Sequence, residues 1–138
     1  MGAVMTPTFS PLKKIHHPKG GVLHALKMSD PCFVGFGEAY FTTIISGDTK
    51  GWKLHKEMFM NLIVPVGNVR FHIYDQSHEL SYTFDLGENN YGRLTIPAGL
   101  WVAFSGLTEG LNLILNIASI EHDPSESLNL PLDSFEIQ

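Results

Sequence analysis

Period-two alternation of polar and apolar side chains recurs along this 138-residue chain, and it constrains the fold more than any other feature. Successive side chains of a strand point to opposite faces, so the alternation suits half-buried β-strands and not helices. The segments 37–45, 50–60, 69–74, 80–85, 93–96, 100–105 and 111–120 carry it, and all are rich in β-branched and aromatic residues. Turn chemistry separates them at Ser46-Gly47-Asp48, Val66-Gly67-Asn68, Asp75-Gln76-Ser77, Gly87-Glu88-Asn89-Asn90 and Thr108-Glu109-Gly110. Short strands at this spacing predict an all-β sandwich, jelly roll or barrel. Only 125–132 leaves room for a helical turn or two. With no internal repeat or linker, residues 1–138 read as one domain.

Composition removes several function classes. A content of 43% hydrophobic and 17% charged residues is that of an ordinary folded protein. The net charge of −5 offers no basic field for nucleic acid. No apolar run approaches the ~20 residues of a membrane span, and the N-terminus has Pro7 and Pro11 but no apolar signal core, so a cytoplasmic location is expected. Cys32 is the single cysteine, which excludes an internal disulfide framework; beside Pro31 it reads as a small loop residue.

The alternation sorts side chains into faces. Gly51, Lys53, His55 and Glu57 share one face of their strand, with Trp52, Leu54 and Lys56 on the other. Glu38, Tyr40 and Thr42 share a face, as do Arg70, His72 and Tyr74, and Asn112, Ile114, Asn116 and Ala118. For Arg70 and His72 a solvent-facing polar row is as good a reading as a site.

Lys53 and His55 stand apart because of their motif context. Lys53-Leu54-His55 occupies the place of a His-x-His pair, Asn61 lies near the place of the following Glu, and Gly67 closes the element. Gly92, Pro97 and Gly99 follow, with Val102 where a last histidine belongs. This skeleton resembles the two cupin motifs and implies a single cupin jelly-roll barrel. With one imidazole left of the expected ligands, a transition metal has no adequate donor set, so neither metal nor cofactor is expected.

Over residues 19–123 the chain also resembles the metal-free cupins of the dTDP-4-dehydrorhamnose 3,5-epimerase family and the related sugar 3,4-ketoisomerases. The family's Arg-Gly-x-Phe-x-Glu appears as Lys19-Gly20-Gly21-Val22-Leu23-His24, and its Arg-Gly-x-His segment as Lys50-Gly51-Trp52-Lys53-Leu54-His55-Lys56. Ile96-Pro97-Ala98-Gly99 matches Ile-Pro-x-Gly, and Glu121-His122-Asp123-Pro124 stands for the closing Tyr-Tyr-x-Pro. The resemblance implies proton transfer beside the keto group of a nucleotide-linked 4-keto sugar, in surface-polysaccharide (deoxysugar) synthesis. The family's base, enolate lysine and tyrosine fall at Lys53, near Asn61 and near Asn116, so all three residue types differ here.

Within that frame Lys53 is either the base or the cation that steadies the enolate oxygen while His55 takes the proton. The second assignment is preferred, because histidine titrates near neutrality. Asp133 or Glu121 is expected to orient the imidazole, and Tyr40 to serve as acid. Lys19 and Lys50 replace family arginines that contact a diphosphate, with Arg70 and Arg93 as further candidates. His24, Glu38 and His72 complete the expected substrate contacts, and Trp101, more than Trp52, is expected to stack on a base or sugar. A homodimer is implied, in which the extended segment through Leu26 pairs on the partner's sheet edge and brings Lys19 and His24 to the partner's site. Three functions remain open: an epimerase, a ketoisomerase variant favoured by His55-Lys56, and a degenerate cupin that binds a sugar or nucleotide sugar without turnover.

Overall fold

The strands predicted from the alternation are present, in two sheets that face each other across an apolar core. The computed structural model describes residues 6–138. Residues 1–5, the start of the segment expected to pair on a partner, lie outside the described residues. In chain order the strands are β1 (Thr8–Pro11), β2 (Lys14–Ile15), β3 (Val22–Leu23), β4 (Glu38–Thr43), β5 (Thr49–His55) and β6 (Met60–Val66), then β7 (Asn68–Asp75), β8 (Leu80–Gly87), β9 (Gly92–Ile96), β10 (Trp101–Gly106), β11 (Leu113–Ala118) and β12 (Ser127–Asn129). One sheet has the order β1-β9-β6-β11-β4 and the other β12-β5-β10-β7-β8; β2 and β3 form a separate hairpin. All the strand pairs are antiparallel. From β4 onward consecutive strands cross between the two sheets, except for the β7–β8 hairpin, as in a jelly roll.

The core forms where the inward rows meet. Val69, Phe71 and Ile73 of β7 pack against Leu94 and Ile96 of β9 and Val64 of β6 in one buried cluster. Arg70, His72 and Tyr74 therefore take the outer face of their sheet. On that face a second cluster gathers Trp52, Trp101 and Ala103 under Tyr74, Leu54 and Phe135.

Two expectations are corrected. The segment 50–60 is not one strand: β5 ends at His55 and β6 begins at Met60, in the opposite sheet. The corner persists because its backbone donors find side-chain acceptors, Glu57 N–H and Met58 N–H on Glu126 and Phe59 N–H on Ser119. Alternation cannot reveal a corner whose acceptors lie so far along the chain. The region 125–132 is mostly not helical: 3-10 turns at Pro124–Glu126 and Leu132–Ser134 flank β12. Within the chain, β1 pairs with β9.

Turns fix the corners. Gly67, between β6 and β7, has φ +79°, and a Cβ there would come within 2.4 Å of Leu111 O and Asn112 Oδ1. Asn112 is fully buried and satisfied: its Oδ1 accepts from Asn68 N–H and Thr108 N–H, and its Nδ2 donates to Ile44 O and Thr108 O.

Candidate active site

Between the two sheets a cavity of about 330 Å³ opens to solvent. Lys50, Lys53 and His55 of β5 line it from one sheet, and Tyr40, Thr42 and Asn116 from the other. Met60, Leu62, Phe71, Val102, Phe104 and Ile114 supply apolar wall, several of them part of the core itself. Among the described residues no aspartate or glutamate lines it.

Strand parity brings Lys53 and His55 together, as expected. Lys50 lies an odd number of residues from both and still reaches the cavity, because the register of β10 on β5 shifts between Val102 and Phe104. Lys50 lies opposite Phe104 and Lys53 opposite Val102, and both partners are cavity residues. Gly51 occupies the shift with φ +150°, and a Cβ there would lie 2.5 Å from that of Ala103. Only glycine passes so close to β10. Lys50 Nζ donates to Thr43 O at 2.9 Å and rests 5.9 Å from the Phe104 ring centre.

His55 is buried, and its Nδ1 meets Glu126 Oε1 at 2.5 Å. Glu126 Oε2 accepts from Glu57 N–H at 2.9 Å and Met58 N–H at 3.1 Å. Burial pushes the Glu126 carboxyl up, but the bonds from His55 and the two amides outweigh it and hold the group below its ordinary range. The carboxylate is thus ionised at neutral pH and holds the proton of His55 on Nδ1. Nε2 makes no hydrogen bond among the described residues and is the nitrogen left for a ligand. Glu126 was missed by the sequence reading: Asp133 and Glu121, expected to orient the imidazole, are both exposed. One available signal was Asp123-Pro124, where Asp123 caps the turn through Ser125 N–H. That turn leads into β12, which pairs Ser127 with His55 and so carries Glu126 alongside the imidazole.

Across the cavity Asn116 Nδ2 donates to Tyr40 Oη at 2.9 Å. The phenol, with its oxygen already accepting, keeps its own hydrogen for a ligand. Asn116, at the position of the family's tyrosine, thus supports a different tyrosine.

The remaining expected residues lie elsewhere. Asn61 points out of the cavity, where its Nδ2 donates to Cys32 O and its Oδ1 accepts from Thr95. Trp101 is buried on the outer face of its sheet, against Phe135, with Nε1 donating to Gln76, and does not border the cavity. Trp52 borders the cavity, while its indole packs on Phe135 and donates to Leu132 O. His72 is buried outside the cavity, with Nε2 3.0 Å from Ser105 Oγ. Burial and then Arg70 depress its pKa, against a smaller opposing effect of Asp85. Arg70 itself pairs with Asp85 at the surface. Glu38 accepts from His122 N–H, and Lys19 is exposed in the β2–β3 turn. His24 and Arg93 line a second cavity of about 280 Å³ with Lys13, Lys27 and Asp30.

Comparison with solved structures bears on fold and family. A dTDP-sugar isomerase from Desulfovibrio desulfuricans G20 superimposes with a TM-score of 0.89 at 32% identity, over 95% of this chain and 87% of that one. The chain belongs to the dTDP-sugar isomerase family. Two more distant members of the same fold are a 3,4-ketoisomerase, QdtA, from Thermoanaerobacterium thermosaccharolyticum and a dTDP-4-dehydrorhamnose 3,5-epimerase from Sulfolobus tokodaii. The first, a variant in complex with TDP-4-keto-6-deoxyglucose, has a TM-score of 0.76 at 21% identity over 91% of this chain and 88% of that one. The second has a TM-score of 0.84 at 18% identity over 99% and 84%. No protein-family model matches the sequence, and no curated protein sequence matches it. Family membership therefore rests on shared structure together with the identity to the first of these enzymes.

Proposed function

We propose that this protein is a metal-independent isomerase or epimerase that moves a proton at the carbon beside the carbonyl of a nucleotide-linked 4-keto sugar. The observation that carries the reading is the pairing of His55 with a buried, ionised Glu126 on one side of the cavity and a phenol, Tyr40, on the other. A sugar ring between the sheets has a base on one face and an acid on the other, as inversion or migration of a carbonyl requires. His55 Nε2 takes the proton, Lys53 steadies the enolate oxygen, and Tyr40 returns a proton from the opposite side. Lys50, at the same wall, is suited to the diphosphate. Among the described residues His55 is the only imidazole in the cavity lining and its Nδ1 is committed to Glu126, a donor set that suits a base better than a metal ligand.

The nucleotide sugar is the partner this reading implies, with deoxysugar synthesis in the cytoplasm as its setting. Homodimerisation accompanies it. The β4 strand ends its sheet with a free edge, and Phe41 on it is 65% exposed. An open apolar edge of this kind is ordinarily covered, and the β2–β3 hairpin of a second copy, bearing Lys19, is a candidate cover.

The test is deuterium uptake. The protein is incubated in deuterium oxide with TDP-4-keto-6-deoxyglucose, and NMR identifies the labelled carbon. Uptake beside the carbonyl supports the reading, and the product separates epimerase from ketoisomerase. Saturable binding with no uptake would establish instead a cupin that binds without turnover.

A further inference from the structure

The first 29 residues contain no aspartate or glutamate, although the chain as a whole carries a net charge of −5. That segregation gathers positive charge where the N-terminal segment folds back on its own sheet. The second cavity, of about 280 Å³, lies there, and Lys13, His24, Lys27 and Arg93 line it. Among the described residues Asp30 is the single carboxylate in its lining. It shares no residue with the cavity between the sheets. Leu94 and Ile96 of β9 are core residues, so Arg93, out of phase with both, faces away from that interior.

Arg93 is the buried element of this site. Its side chain is 4% exposed and keeps its charge at any ordinary pH. Nη1 donates to Ala25 O at 2.7 Å and to Asp30 Oδ2 at 3.3 Å, and Nη2 donates to the weak acceptor Cys32 Sγ. Nε–H is buried and meets no acceptor among the described residues. Asp30 Oδ2 also accepts from Lys27 N–H, so one carboxylate oxygen serves two donors. A buried cation whose counter-ion is distant and shared favours a further anion beside it. Lys13 and Lys27 bring two exposed ammonium groups to the same cavity. Neither forms an ion pair among the described residues, where the lysine ammonium groups that donate hydrogen bonds are those of Lys14 and Lys50.

We propose that this second cavity binds an oxyanion of the phosphate class, free or carried as a monoester on a small molecule. Lys13, Lys27 and Arg93 set three fixed positive charges against one carboxylate, and an uncharged ligand would leave that excess uncompensated. Lys13 lies before β2 and Lys27 after β3, and His24 N–H donates to Lys13 O at 3.0 Å across the base of that hairpin. An anion here is approached from both ends of the hairpin and from Arg93 on the sheet, an arrangement that suits a tetrahedral group with several acceptor oxygens. The cavity volume suits a phosphate or a small phosphomonoester and not a polymer. The site is independent of the reaction read for the cavity between the sheets, and its occupancy requires no nucleotide sugar.

The experiment is an NMR titration of the isotope-labelled full chain with inorganic phosphate, with chloride balancing the ionic strength, repeated with glucose 1-phosphate. The expected result is saturable movement of the His24, Ala25 and Lys27 amide signals and of the Arg93 Nε–H signal. The double variant Lys13→Met/Lys27→Met changes two exposed side chains and leaves the core intact. It is expected to bind phosphate about tenfold or more weakly. Lys53→Met, in the other cavity, is expected to leave the affinity within about twofold, because water and salt screen a charge that distant. Saturating TDP is likewise expected to leave it unchanged. Tighter binding of phosphate identifies the free anion as the ligand, and tighter binding of glucose 1-phosphate identifies the ester; both support the site. Shifts that grow without saturation, or that persist at wild-type affinity in the double variant, overturn it. Shifts abolished by Lys53→Met or by TDP overturn it too, since they place the anion in the cavity between the sheets.

Discussion

At the scale of single residues, the chemistry open to His55 is set by a carboxylate that two backbone amides hold in place, leaving the imidazole one nitrogen for a ligand. Glu126→Gln keeps the shape but loses the charge that stabilises the imidazolium. Deuterium uptake in this variant is expected to fall about a hundredfold, with substrate affinity nearly unchanged; a fall in affinity alone would contradict the role. Tyr40→Phe removes the returning proton, so product formation is expected to fall about a hundredfold while deuterium still enters recovered substrate, as read by NMR. His72 gives a pH dependence of stability whose sign follows from its depressed pKa. Below the ordinary value of 6.5 the unfolded chain binds a proton on this imidazole while the folded chain, down to its lower value, does not. Stability is therefore fully present above 6.5 and falls as pH drops through the window beneath it. Urea midpoints at pH 7.5 and 5.5 should differ by less in His72→Gln than in the wild type. Lys53, His55 and Tyr40 were legible because strand parity and motif spacing are local. Glu126 and the Asn116–Tyr40 bond were not, since they depend on which distant strand or turn comes alongside.

At the scale of elements, the C-terminal segment is a strap that holds β5, the strand that bears Lys53 and His55. β12 pairs with β5, Glu126 just before it meets His55, and Phe135 beyond it packs on Trp52, Trp101 and Tyr74. Phe135→Ala is expected to destabilise the fold by about 2 kcal/mol, measured by denaturant unfolding, and to lower the uptake rate by loosening β5. Loss of stability with uptake intact would show the strap to be structural only. The strands themselves were readable from alternation wherever one face is buried. The break between β5 and β6 was not, because His55-Lys56-Glu57 interrupts the alternation without a turn residue, and the corner depends on acceptors from Ser119 and Glu126. Lys50 shows the reverse case: parity alone separates it from Lys53, and the register shift at Gly51 brings both to one wall.

At the scale of the whole molecule, the jelly roll places His55 and Tyr40 on opposite sheets, so a ring in the cavity between them would meet one on each face. The free β4 edge carries Tyr40 itself, so a partner on that edge would adjoin the cavity. Phe41→Glu is expected to shift the protein toward monomer in sedimentation and to lower uptake at low protein concentration; an unchanged sedimentation profile would rule out this edge as the interface. The central claim is that His55 removes a proton from the carbon beside the sugar's carbonyl. Its most direct test is deuterium uptake from TDP-4-keto-6-deoxyglucose by His55→Asn, with binding measured in the same samples. The account requires binding to persist while uptake falls to background. Uptake at the wild-type rate in that variant would contradict it.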